Sequence, residues 1–203
     1  MVLHGGEPTL YGLKETKKIL KVIPKDRIIS FQSNLLSVKQ NELDAWIELL
    51  YPFIKGGIGT SMDYYRRQFY DDWKRKVDYL RNRGVKVTIL TTLTDYDDKD
   101  FYNNLVNFFI ETQSEIKFQF EYRKSYTQKF LKKTEELVLH LFKLLTHRLQ
   151  IDTEKLLKIF ELRKGVCIDV FTISPDGHIY TCPNLSTFEY CRVGHIKELD
   201  FDI

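Results

Sequence analysis

The chain of 203 residues carries 31 Lys and Arg against 28 Asp and Glu, a net charge of +3, with 43% hydrophobic and 14% aromatic residues. That composition builds a core and excludes an intrinsically disordered chain, and the scattered, nearly balanced charges give no footprint for nucleic acid or a membrane surface. No run of about 18 apolar residues marks a transmembrane helix and no signal peptide is recognisable, so a cytoplasmic protein is expected.

Short apolar runs recur about every 30 residues, the size of a βα unit. They cover residues 1–3, 27–31, 53–58, 85–93 and 116–122 and are expected as consecutive parallel strands. The segments between them have helical spacing: Leu13, Ile19, Leu20 and Ile23, then Leu43, Trp46, Ile47 and Leu50, then Trp73, Val77 and Leu80 closed by Gly84, then Leu105, Val106, Phe108 and Phe109. Beyond residue 125 the pattern changes. Residues 130–149 form a helix with Leu137, Leu141, Leu144 and Leu145 inward, and residues 151–162 a further helix. Residues 166–173 and 178–182 pair as a hairpin around Ser174-Pro175-Asp176-Gly177, where proline early and glycine late suit a turn. Three parts follow: an α/β unit over 1–125, a helical connection over 126–163 and a small appendage over 164–203.

Alternating strands and helices predict a parallel sheet, open or closed as a barrel, with chemistry at the carboxyl ends of the strands. Those ends carry His4-Gly5-Gly6-Glu7-Pro8, Gln32-Ser33-Asn34, Gly59-Thr60-Ser61-Met62-Asp63 and Thr91-Thr92. Two glycines let a ligand approach main-chain groups, Pro8 fixes the turn, and Glu7 offers a carboxylate, a cradle suited to an ammonium group. A plain turn with a solvated glutamate is the competing reading. A phosphate loop fits less well, because Glu7 adds negative charge and Pro8 removes a donor.

The three cysteines, Cys167, Cys182 and Cys191, all fall in the appendage. An odd number of thiols in an intracellular chain points to metal, redox or free cysteines rather than a disulfide framework. Two thiolates flanking a hairpin suit iron–sulfur or zinc; zinc held by these cysteines with His195 is an alternative. His178 reads as a surface residue, and His140 and His147 as helix residues without chemistry.

Leu3-His4-Gly5-Gly6-Glu7-Pro8-Thr9 resembles the GGEP segment of radical S-adenosylmethionine enzymes. Phe31-Gln32-Ser33-Asn34-Leu35-Leu36 resembles the following strand's Thr-Asn-Gly-x-Leu segment, and Gly59-Thr60-Ser61-Met62-Asp63 the next strand's Ser-Leu/Ile-Asp segment. Ser33 stands where threonine is common, Leu35 where glycine is common, and Tyr64 replaces a glycine. The resemblance implies a partial (β/α)6 barrel in which Gly5, Gly6, Glu7, Pro8, Asn34, Ser61 and Asp63 bind S-adenosylmethionine. Arg66 or Arg67 would correspond to an arginine that often follows the third of these segments.

Cys167-x9-Gly177-x4-Cys182, followed by Val193-Gly194-His195-Ile196, resembles the SPASM or twitch appendage of the same family. There the cysteines hold an auxiliary four-iron four-sulfur cluster, which implies Cys167 and Cys182 as ligands and Cys191 as a further ligand or an ordinary thiol. The family's catalytic cluster uses a Cys-x3-Cys-x2-Cys loop upstream of GGEP. The 203 residues contain no such triad, and the SPASM pattern runs on to further cysteines beyond the segment matched here. The expectation is therefore a barrel without its first βα unit, inactive alone and weakly loaded with an auxiliary cluster, with an exposed edge that lowers solubility or takes a partner subunit. Sulfatase-type or ribosomal-peptide maturation, on a peptide or protein substrate, is the implied activity. A degenerate module that binds a peptide or partner without catalysis is the alternative.

Overall fold

The structure, a computed structural model, describes residues 2–3, 7–24, 26–55, 57–93, 98–112, 114–120, 127–149, 155, 159–160, 172–174, 176–180, 192–195 and 197. It divides into two units, Met1–Leu162 and Arg163–Ile203.

In the first unit, strands β1 (Val2–Leu3), β2 (Ser30–Ser33), β3 (Gly57–Ser61), β4 (Lys86–Leu93) and β5 (Glu115–Phe120) form one parallel sheet in sequential order. Helices α1 (Gly12–Val22), α2 (Leu43–Leu50), α3 (Tyr70–Asn82) and α4 (Lys99–Thr112) are the crossovers, and α5 (Gln128–Leu149) follows β5. Successive right-handed crossovers between neighbouring strands stack the helices on one face of the sheet. That face is the core, where Phe31, Ile58, Ile89 and Phe118 from the strands meet Leu20, Trp46, Trp73 and Leu105 from the helices. Trp73 is fully buried and its Nε1 donates to Thr60 Oγ1 at 2.9 Å, so the indole is sealed into the sheet without an orphaned donor.

Gly84 ends α3 as its spacing predicts. At φ +79° it lets its own N–H reach the Arg81 carbonyl at 2.8 Å while the Val85 N–H reaches that of Leu80 at 3.1 Å, the paired closure of a Schellman motif. Val85 and Leu80 are both buried beside it.

Two expected strands lie elsewhere. The apolar run over 53–58 opens as a turn that extends α2, with Ile54 N–H bonded to the Leu50 carbonyl at 3.2 Å, and β3 begins only at Gly57. Ile54 is buried from that turn, so its apolar character serves the core without being a strand. Likewise β2 occupies 30–33 rather than 27–31; Ile29 N–H bonds to the Phe53 carbonyl in a loop at 2.7 Å. Ile19 is 37% exposed, and Thr16 and Leu20 form the inward side of α1 instead. Leu137, Leu141 and Leu145 of α5 are buried as expected, whereas Leu144, also expected inward, is only partly buried against the core. Most of the helix expected over 151–162 lies outside the described residues. Among the described residues no helix is long and apolar enough to cross a membrane.

The second unit contains an antiparallel sheet of β6 (Thr172–Ile173), β7 (His178–Tyr180) and β8 (Arg192–His195). The turn between β6 and β7 closes with Gly177 N–H on the Ser174 carbonyl at 2.9 Å, and Gly177 takes φ +89°. His195 Nε2 sits 3.0 Å from the Asp176 carbonyl, tying β8 to that turn.

Candidate functional site

Pro8 starts a short 3-10 helix over Pro8–Tyr11, and Glu7 is its N-cap. The Glu7 carboxylate leaves β1 and reaches the tip of β2. Its Oε1 accepts from Ser33 Oγ at 2.6 Å, Thr9 Oγ1 at 2.6 Å and the Thr9 N–H at 3.2 Å, and its Oε2 accepts from the Asn34 N–H at 2.7 Å. Thr9 Oγ1 also bonds Ser37 Oγ. Glu7 is thus a buckle between two strand tips, neither a solvated glutamate nor a carboxylate left wholly to a ligand. Among the described residues Oε2 accepts one bond and Oε1 three, so Oε2 keeps more accepting capacity.

The tip of β2 is built around Asn34 and Leu35. Asn34 Oδ1 accepts from the Leu36 N–H at 2.8 Å and Ser33 Oγ from the Leu35 N–H at 2.9 Å, local turns that these short polar side chains favour. Leu35 takes φ +61°, a left-handed conformation that explains why glycine suits this position. The leucine is tolerated because its side chain is 3% exposed in the core and its carbonyl is held by Lys76 Nζ at 3.0 Å. Lys76, 4% exposed, is neutralised by Asp72 Oδ2 at 2.8 Å, and its hydrogen bond is the main reason the Asp72 carboxyl is held below the usual carboxylate range.

Asp63 repeats the Glu7 device two strands further on, joining the tip of β3 to β4. Its Oδ1 accepts from the Thr92 N–H on β4 at 2.9 Å, and its Oδ2 pairs with Arg66 Nη2 at 2.5 Å. Arg66 Nη1 donates to Ser61 Oγ at 3.1 Å. Of the two arginines, Arg66 meets the strand tip. Arg67 turns away, lying 3.9 Å over the Tyr64 ring and donating to the Tyr64 carbonyl at 3.2 Å. Of the expected site residues, the structure joins Glu7 to Asn34 and joins Ser61 to Asp63 through Arg66, with Pro8 beginning the turn after Glu7. Gly5, Gly6, Cys167, Cys182 and Cys191 lie outside the described residues.

The sheet's second face is the feature that a search for strand-tip motifs misses. Burial alternates along β4, with Val87, Ile89, Thr91 and Leu93 buried and Lys86, Thr88, Leu90 and Thr92 less so. Parallel sheets are ordinarily covered on both faces and read as continuous apolar runs; here, among the described residues, one face is largely polar and only partly buried. It walls a cleft of about 870 Å³ lined by residues that include Gln32, Gly59, Thr88, Lys117 and Gln119. The polar–apolar alternation of Lys86-Val87-Thr88-Ile89 and of Glu115-Ile116-Lys117-Phe118-Gln119 is the sequence signal for it.

At the strand tips Glu7 Oε2 can accept a further hydrogen bond, and Asn34 Nδ2 and Ser61 Oγ can bond, without dismantling the buckles. Among the described residues no group of three or more His, Cys, Asp or Glu is placed to hold a metal ion.

No protein-family model matches the chain, and no curated protein matches it in sequence. Solved structures do. anSMEcpe with bound AdoMet matches with a TM-score of 0.60 at 17% identity over 98% of this chain. Streptococcus suis SuiB bound to S-adenosylmethionine matches at 0.58 and 16% over 96%, and SuiB bound to the precursor peptide SuiA at 0.61 and 17% over 97%. This is the fold of two proteins solved with S-adenosylmethionine. The chain spans 64% of the length of the anSMEcpe chain and 51% of the SuiB chain.

Proposed function

We propose that the 203 residues are part of a radical S-adenosylmethionine enzyme with a SPASM-like appendage, one that modifies a peptide or protein in the manner of a sulfatase or ribosomal-peptide maturase. The observation that carries this reading is the convergence of two motif segments on one carboxylate: Glu7 of the GGEP-like segment binds both Ser33 and Asn34 of the next. The shared fold with proteins solved bound to S-adenosylmethionine or a precursor peptide supports it.

In this reading the first unit is a partial (β/α)6 barrel whose polar face is the lumen. Gly5, Gly6, Glu7 and Pro8 hold the methionyl end of S-adenosylmethionine, with Glu7 Oε2 accepting from its ammonium group, and Asn34, Ser61 and Asp63 complete the contacts. Arg66 keeps Ser61 and Asp63 in place. Cys167 and Cys182, with Cys191, supply soft thiolates for an auxiliary iron–sulfur cluster. Bound S-adenosylmethionine supplies hydrogen-atom abstraction when a reduced cluster cleaves it. A Cys-x3-Cys-x2-Cys triad for that cluster is not among the 203 residues. A degenerate, non-catalytic module that binds a peptide or partner is the second reading. Leu10, Tyr11 and Val22, exposed at 74%, 58% and 83%, give a partner subunit apolar surface to cover.

The test is anaerobic reconstitution with iron and sulfide, followed by iron counting, equilibrium binding of S-adenosylmethionine and assay for 5′-deoxyadenosine. Binding without cleavage is the expected result for these residues alone, with iron lost in Cys167→Ser and Cys182→Ser. Absence of S-adenosylmethionine binding overturns the cofactor reading, and iron content unchanged in both variants overturns the cluster assignment.

A further inference from the structure

We infer that the outer face of α1 docks an acidic surface of a partner protein. This gives the partner subunit of the proposed function its chemistry and rests on that reading only for there being a partner; it needs neither S-adenosylmethionine nor a cluster. The helix carries Lys14, Lys17, Lys18 and Lys21 against Glu15 alone, +3 in eleven residues, as much as the net charge of all 203. Those lysines stand at i, i+3, i+4 and i+7, one ridge of a helix. The ridge lies opposite the buried Thr16 and Leu20.

Helix stability does not account for this ridge. Lysines three and four residues apart repel, as do Lys14 with Lys17 and Lys18, and Lys21 with the same two. The helix dipole favours Lys21 in the last turn but disfavours Lys14 in the first. Lys18 is answered by Glu15 Oε1 at 2.8 Å. Among the described residues Lys14, Lys17 and Lys21 are exposed and in no ion pair. Carboxylates on a partner turn the repulsion that the free chain bears into attraction, and steer the encounter.

Apolar exposure at the two ends of the ridge says that those carboxylates belong to a protein. Leu10 and Tyr11, 74% and 58% exposed, lead into α1, and Val22, 83% exposed, ends it. From Lys14 to Lys21 is two turns, about 10 Å, a span that carboxylates on one face of a partner helix can match while apolar side chains beyond them cover Leu10 or Val22. A phosphate backbone offers those apolar groups nothing. A lipid surface takes a helix by its apolar face, and that of α1 is spent in the core, where Leu20 is buried and Leu13 packs against the cluster. A second copy presenting the same face would set lysine against lysine.

The experiment is fluorescence anisotropy with the full chain and two labelled synthetic helical peptides of one composition. The first has Glu at i, i+3, i+4 and i+7 with a leucine at each end of that stripe; the second has the same residues scattered around the helix. Duplex DNA and phosphatidylglycerol vesicles are the competing probes. The striped peptide should bind about threefold or more tighter than the scattered one, and both should weaken as sodium chloride rises from about 0.05 M to about 0.5 M. Lys14→Glu with Lys17→Glu should weaken the striped peptide about tenfold or more and Val22→Ser about threefold, whereas Lys129→Glu with Lys132→Glu should weaken it about twofold or less, since distant charge is screened. That control makes the same change in net charge at exposed positions of α5. Circular dichroism shows whether each variant is folded, and Lys14→Ala with Lys17→Ala, expected to fall between wild type and the reversal, replaces the reversal if that variant does not fold. Equal loss in the two reversals, equal binding of the two peptides, no loss in Val22→Ser, or tighter binding of duplex or vesicles than of the striped peptide overturns the inference. S-adenosylmethionine titrated into the same samples separates the failures: its binding without peptide binding removes the docking face alone, and the converse removes the cofactor reading alone.

Discussion

Lys76 Nζ lies 3.0 Å from the carbonyl oxygen of Leu35, 41 residues away in sequence, and holds a left-handed strand tip from beneath. The ammonium group is also 2.8 Å from Asp72 Oδ2, so a helix of the core reaches through one buried side chain to the turn that carries Asn34. Truncation by Lys76→Ala leaves the carbonyl to the Val38 N–H at 3.3 Å, removes the partner of Asp72 and opens a cavity, and should destabilise the chain by about 3 kcal/mol; Lys76→Met, which keeps the methylenes, by about half as much. Urea denaturation measures both, and equal losses would show that packing alone matters.

Leu35 itself tests how strain and burial balance. Leu35→Gly relieves about 1 kcal/mol of left-handed strain but forfeits about 2–4 kcal/mol of buried leucine, for a net loss of about 1–3 kcal/mol. A glycine variant more stable than the native chain would show that the core at this tip is looser than its 3% exposure implies.

Glu7→Gln should cost about 1.5–3 kcal/mol, because its amide nitrogen must face either the Asn34 N–H or the donors on Oε1, and a donor opposed to a donor forfeits a charge-assisted bond. Hydrogen exchange should quicken at the Asn34 amide, which Glu7 Oε2 now accepts from at 2.7 Å. Protection unchanged at that amide would mean the two strand tips are held together by other contacts.

Thr60→Val keeps the shape of a fully buried side chain and removes the acceptor for Trp73 Nε1. The orphaned indole N–H should cost about 1–3 kcal/mol, with a shift in tryptophan fluorescence reporting the lost bond.

His140 on α5 faces Asn103 of α4, with Nε2 and Oδ1 2.8 Å apart. Burial holds its pKa below the ordinary 6.5, and the nearby Lys99 and Lys143 add repulsion. The folded chain therefore binds fewer protons than the unfolded chain in this range. His140's share of stability is complete above the unfolded value and is lost as the pH falls from there through the folded value. Chemical denaturation between about pH 7.5 and about pH 5 should show this slope in the native chain and a flatter one in His140→Gln.

Some of this was legible because periodicity reports burial directly. Trp73, Val77 and Leu80 recur at helical spacing and all three are in the core, and Gly84 marks the end of α3 because a left-handed residue is needed there. The strand tips were legible as positions, since a parallel βα alternation puts loops with chemistry at the carboxyl ends. Other features were not. Phe53 and Ile54 form an apolar run that closes α2, whereas β3, with Gly57, Gly59 and Ser61 on its polar face, has too little apolar character to announce itself.

What the amino-acid sequence determined by itself was the order of elements, the helical faces and the short list of polar tip residues, all of which follow from local spacing. Tertiary structure decided what those residues do to one another. Glu7 meets Ser33 and Asn34 across 26 and 27 residues, Asp63 meets Thr92 across 29, and Lys76 meets Leu35 across 41. Such pairings depend on strand register and crossover packing, which bring distant carboxylates and amides within 3 Å of each other and which no local pattern encodes.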